Sequence, residues 1–180
     1  RTAFYVGDQA GREHLESSGI AVHPYEGAKL SSDQVLVVGP GGGERLARDA
    51  TAIADWLKAE GNLLAIGLDE HDTGAWLPLK IGTKKAEHIS AWFEPPGIRS
   101  LLAGVGPADV HNRDPRELSL ITTGATPVGD GVLAKAENMN VVFCQLIPWQ
   151  FGGNKQPNLK KTYRRSSFLV ARLLANMGVA

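Results

Sequence analysis

The stretch Gln34-Val35-Leu36-Val37-Val38-Gly39-Pro40-Gly41-Gly42-Gly43 decides the fold. A continuous aliphatic run with no polar alternation reads as a strand covered on both faces, the signature of a parallel sheet, and the Gly-Pro-Gly-Gly-Gly that follows ends it sharply. Downstream, Leu46, Ala50, Ile53, Ala54 and Leu57 keep helical spacing between Glu44 and Glu60, and Gly61 supplies a left-handed stop. Asn62 to Leu68 then returns as a second buried strand. Upstream, Ala3 to Val6 reads as a strand, Gln9 to Ser18 as a short helix ended by Gly19, and Ile20 to His23 as another strand. Strands alternating with helices at this spacing imply right-handed crossovers and a mostly parallel sheet inside a three-layer α/β/α sandwich.

The remainder is less regular. Thr73 to Pro127 is rich in Gly and Pro and reads as loops and short helices with an edge strand at Leu118 to Thr122. Gly131 to Glu137 and Met139 to Leu146 read as a hairpin turning at Asn138. A loop from Pro148 to Pro157 leads into a helix over Lys160 to Met177, with Phe168, Ala171, Leu174 and Ala175 as its apolar positions.

Composition bounds the possibilities. With 180 residues, 43% of them hydrophobic, the chain is long enough for one sizeable core, read as a single domain over 1–180. Nineteen basic residues balance nineteen acidic ones, so no global field draws it to nucleic acid or to an anionic membrane surface. No apolar run approaches the ~20 residues of a membrane span. The lone Cys144 excludes an internal disulfide framework and a multi-thiolate zinc site, and beside Phe143 in an apolar run it reads as a small inert hydrophobe. The abrupt start at Arg1, with a strand two residues later, reads as a domain cut from a longer polypeptide.

The segments that carry the chemistry are short. The strand ending in Gly39-Pro40-Gly41-Gly42-Gly43 resembles the oxyanion turn of class I glutamine amidotransferases. Leu64-Ala65-Ile66-Gly67-Leu68-Asp69 resembles their L-G-I-C-L-G nucleophile elbow, with Gly67 in the place of the cysteine. Cys144-Gln145-Leu146-Ile147-Pro148-Trp149 is similar to their V-Q-F-H-P-E motif, with Ile147 for the histidine and Trp149 for the glutamate. The resemblance implies a flavodoxin-like sandwich of the amidotransferase type with all three catalytic positions empty. Acyl-enzyme chemistry needs an activated nucleophile, a base and a group that orients the base, and glycine, isoleucine and tryptophan supply none of these. Neither a metal nor a cofactor is implied.

Degenerate domains of this type occur as accessory modules of bacterial glycoside hydrolases, including trimerisation domains of β-galactosidases. The C-terminal segments Asn140 to Phe151 and Arg164 to Leu174 resemble the ends of such proteins. That resemblance implies a pseudoenzyme domain that mediates packing or oligomerisation, with an upstream catalytic domain and copies of itself as partners.

Other clusters leave a ligand site open at the carboxyl edge of the sheet. Asp69-Glu70-His71-Asp72 could hold a cation, with a helix cap as the alternative. Gly41, Gly42 and Gly43 could cradle an anion or simply meet the geometry of the turn. His111, with Arg113 and Asp114, could touch a sugar or carboxylate, or only pair charges at the surface. Trp92 and Trp149 could stack on a sugar face, and packing beneath loops is the alternative for these and for Trp76. Lys160, Lys161, Arg164 and Arg165 load the start of the last helix with charge that its dipole disfavours, so intrachain ion pairs or an acidic partner are expected there.

Overall fold

The computed structural model describes residues 1–27, 29–152 and 157–180. Its sheet is built as the aliphatic runs require. Strands β1 (Thr2–Val6), β2 (Val22–Pro24), β3 (Gln34–Val38) and β4 (Asn62–Ile66) are joined by β7 (Thr126–Val128), β8 (Leu133–Lys135) and β9 (Asn140–Cys144) in the order β2-β1-β3-β4-β9-β8-β7. The first five in that order are parallel, and β8 and β7 continue antiparallel. The side-chain period of two then divides each strand between two cores. Val35, Val37, Leu64, Ile66 and Val142 face the helices α1 (Gln9–Ser17) and α5 (Leu159–Asn176). Leu36, Val38, Leu63, Ala65 and Val141 face α2 (Gly43–Leu46) and α3 (Ala50–Lys58). The result is the expected flavodoxin-like α/β/α sandwich, with the hairpin β8–β9 also in place.

Several local expectations are corrected. The helix expected from Glu44 to Glu60 is interrupted, because Ala47–Asp49 form a 3-10 turn between α2 and α3. Leu118 to Thr122 is not an edge of the main sheet. It lies within β6 (Glu117–Thr123), which pairs antiparallel with β5 (Gly82–Glu87) in a separate two-stranded sheet, because Leu118 and Leu120 are drawn into the core on the α5 side. The apolar face of α5 is displaced from the expected set. Leu169, Val170, Leu173 and Leu174 are buried, while Phe168 is half-exposed, with the Arg172 guanidinium 5.4 Å from its ring centre. Among the described residues, none of Lys160, Lys161, Arg164 and Arg165 forms an ion pair. The expected loop from Pro148 to Pro157 opens with a 3-10 turn at Pro148–Gln150, and residues 153–156 within it lie outside the described set.

Candidate functional site

Because β1, β3, β4 and β9 run parallel, their carboxyl ends meet along one edge, where an open α/β sheet presents its ligands. At the end of β4 the chain turns through Gly67, whose φ of 67° lies in the left-handed region that side chains avoid. Gly67 N–H donates to the Cys144 carbonyl at 2.8 Å, which ties the turn to β9. The backbone therefore keeps an elbow at the position that the sequence assigns to the nucleophile. A Cβ on Gly67 would lie 2.3 Å from Ile147 Cδ1 and 2.5 Å from Ile147 Cγ1. Ile147, in the histidine position, thus fills the space into which a nucleophile would project, and it is itself buried. Neither Gly67 nor Ile147 can attack a carbonyl or take up a proton.

The third position is tied into a polar cluster of the chain's own making. Trp149 donates from Nε1 to Asp8 Oδ2 at 3.1 Å, and its ring centre lies 5.7 Å from that of His14. Asp8 caps α1 through Oδ1, which accepts from Gly11 N–H and from the Tyr5 hydroxyl, both at 3.0 Å. The Tyr5 phenol threads between backbone segments that come too close for any side chain. A Cβ on Gly7, Gly11 or Gly39 would fall within 2.4 Å of its oxygen. Burial first, and the Asp8 carboxylate second, hold that phenol far above its ordinary pKa. Burial also lowers the pKa of His14, which meets the Tyr163 hydroxyl at 3.5 Å. Burial pushes the Cys144 thiol up to about 12, so the one cysteine stays protonated and inert, its Sγ donating to the Leu146 carbonyl.

Of the residues picked out for a ligand site, the glycine run and the acidic turn are brought together, and His111 lies apart from them. Asp69 and Asp72 form a reciprocal capping box on α4 (Glu70–Thr73): Asp69 Oδ1 accepts from the His71 and Asp72 amides, and Asp72 Oδ2 accepts from Asp69 N–H at 3.1 Å. Glu70 accepts from the amide and hydroxyl of Thr83, and the hydroxyl contact lowers its pKa. No group of three or more His, Cys, Asp or Glu with metal-binding geometry occurs among the described residues. Gly43 packs against the same turn, where a Cβ would meet the Asp72 carbonyl at 2.1 Å, and a Cβ on Gly42 would meet the Val6 carbonyl at 2.5 Å. Gly41 takes a left-handed φ of 77°. Close packing and turn geometry therefore account for this glycine run. His111 follows the 3-10 turn Pro107–Val110, whose Val110 belongs to the core beside α5, whereas Trp76 and Leu77, just after α4, belong to the opposite core. The sheet stands between His111 and the acidic turn.

Of the tryptophans, Trp76 is buried and donates to the Asp72 carbonyl. Trp92, expected under a loop, is instead 81% exposed. No local pattern singles out Tyr5, His14 or Gln145 for the edge. Asp8 alone carries a signal, standing where Asn or Asp caps a helix after a strand.

Comparison with known proteins agrees with this architecture. No family model matches the chain, and no curated protein sequence matches it. Among solved structures, PurLQS from Thermotoga maritima superposes with a TM-score of 0.55 at 14% identity, over 97% of this chain and 97% of that one. A structure described as a GMP synthase subunit, from Thermoplasma acidophilum, superposes with a TM-score of 0.46 at 11% identity, over 99% of this chain and 96% of that one. At 14% identity the likeness to PurLQS is one of fold alone, in keeping with the flavodoxin-like α/β/α sandwich.

Proposed function

We propose that this chain is a non-catalytic interaction domain built on the amidotransferase-like fold, and that it serves packing or oligomerisation within a carbohydrate-active enzyme of the β-galactosidase-like kind. The observation that carries the reading is the Ile147 side chain occupying the space above Gly67, which leaves the elbow without a nucleophile and without room for one. A role in association draws support from the loop after β5. Ile89, Trp92 and Ile98 are exposed there, Ile98 at 96%, beside the rigid Pro95-Pro96 pair. Large apolar side chains gathered on one short exposed segment are typical of contact surfaces. The carbohydrate-active context rests on the resemblance of the C-terminal segments alone.

The test is the solution mass by light scattering over a concentration series, run for the wild-type chain and for Trp92→Ser/Ile98→Ser, with a glutaminase assay on the same material. The expected result is a mass that rises above the monomer with concentration, falls back in the variant, and comes with no glutamine hydrolysis. A strict monomer at every concentration refutes self-association. Turnover of glutamine refutes the non-catalytic reading.

A further inference from the structure

Beside the emptied elbow, a cavity of about 280 Å³ opens between Gly67, Ile147 and the β5–β6 hairpin, with Gln145, Lys85 and Glu117 in its lining. Two independent features of this cavity call for the same kind of occupant. The first is an orphaned acceptor. Gln145 is 1% exposed, and its Nε2 donates to the Leu68 carbonyl at 2.8 Å and to the Ser119 carbonyl, so both partners being acceptors fixes which end of the amide is nitrogen. Among the described residues, Gln145 Oε1 is then left buried with no donor. Folded proteins seldom leave such a group unpaired, and a ligand's N–H or O–H is one way to satisfy it.

The second feature is a charge imbalance on the wall. In the β5–β6 register Glu87 stands directly opposite Glu117, and Lys85 opposite Ser119, so these four side chains share one face of the hairpin. Two carboxylates directly opposed across a strand pair repel. Lys85 offsets one of them, and neither glutamate forms an ion pair among the described residues, which leaves the face one positive charge short. The other face of the hairpin carries Ala86, Leu118 and Leu120 toward the core, so the pair cannot rotate away without exposing apolar surface.

We propose that this cavity binds a small monovalent cationic group, an ammonium or a guanidinium, with Gln145 Oε1 as its buried acceptor and Glu117 as its counter-charge. Its volume lies just under the ~300–1,000 Å³ of pockets that take drug-sized ligands, which matches a head group of few atoms. A cation meets both demands together, because its N–H groups satisfy the amide oxygen while its charge neutralises Glu117, the one of the two carboxylates that lines the cavity. A neutral donor meets only the first.

The experiment titrates the ¹⁵N-labelled chain with ethylguanidinium and, in parallel, with its neutral isostere ethylurea, following amide shifts by NMR. The expected result is saturable shifts for ethylguanidinium at Gly67, Ser119 and Gln145, with ethylurea at least about tenfold weaker, since a charged hydrogen-bonded pair is being compared with a neutral one. Glu117→Gln, an exposed substitution that leaves the fold intact, should erase that preference. Absence of saturable shifts, equal binding of the two probes, or a preference that survives Glu117→Gln each overturns the proposal. The readout does not depend on the oligomeric state, so it stands apart from the interaction reading.

Discussion

Adding a methyl group at the elbow and truncating the side chain of its neighbour gives a sharp measure of how the site is closed. In Gly67→Ala the new Cβ must sit at a φ of 67°, which costs a non-glycine residue about 1–2 kcal/mol. It must also share space with Ile147, whose Cδ1 and Cγ1 lie 2.3 and 2.5 Å from that Cβ, an overlap expected to cost about 1–3 kcal/mol. Ile147 cannot swing aside cheaply, because its side chain is β-branched and stiff at χ1, and Cγ1 itself is in the clash. Ile147→Ala alone opens a hole and costs about 2–5 kcal/mol. In the double variant the overlap disappears and the alanine methyl at 67 takes part of the vacated space. The double variant should therefore be more stable than the sum of the singles predicts, by about 1–3 kcal/mol, read as the coupling term of a double-mutant cycle from urea denaturation. Additivity within about 0.5 kcal/mol would mean that the two side chains do not compete for one volume, and the elbow would not be closed by Ile147.

Four further outcomes test the surroundings. Asp69→Ala removes half of a capping box and should cost about 1 kcal/mol, a fall in Tm of about 2–4 °C for a chain of this size; millimolar Ca²⁺ or Mn²⁺ should leave the wild-type Tm unchanged, and a metal-dependent rise lost in the variant would give the turn to a cation instead. Trp149→Glu restores the family's residue type but sets a carboxylate against Asp8 Oδ2, which now accepts from the indole at 3.1 Å, so stability should fall by about 1.5–3 kcal/mol at neutral pH with no gain of glutaminase activity; equal stability would show that Asp8 is not tied to this position. The thiol of Cys144, ordinarily near 9.0, titrates at about 12 in the folded chain, so between those values the native state holds more protons than the unfolded one and stability declines as pH rises. His14 acts at the other end: its lowered pKa means that the unfolded chain takes up the proton first, so stability is lost as pH falls below about 6.5, and His14→Gln should flatten that acid limb in thermal melts.

The layers were legible because hydrophobic periodicity is a property of the residues themselves. The run Val35 to Val38 could only be a strand covered twice, and it supplies both cores as that reading requires. The β5–β6 sheet was hidden for the opposite reason. Its strand Gly82–Glu87 carries Lys84, Lys85 and Glu87 with a single alanine as its apolar anchor, so nothing in the segment announces a strand until β6 pairs with it. Phe168 misleads because an apolar side chain need not be buried: its neighbour Arg172 covers the ring at the surface. The three emptied positions could be read as types of residue, but not as a packed set. That Ile147 reaches over Gly67, and that Trp149 reaches back to Asp8 near the start of the chain, depends on distances that no local pattern encodes.

Those contacts bear on why an elbow is kept with a glycine at position 67. The turn after β4 must leave the sheet at this edge whatever residue occupies it, so the left-handed backbone is a demand of the fold rather than of catalysis. A nucleophile at that φ carries about 1–2 kcal/mol of strain, which a glycine does not. Ile147 closes the hole over the turn, and Trp149 satisfies Asp8 while lying against His14. Among the described residues, the only buried side-chain polar atom at this edge without a partner is the amide oxygen of Gln145, which is why the cavity beside it, and not the elbow, is where a ligand should be sought.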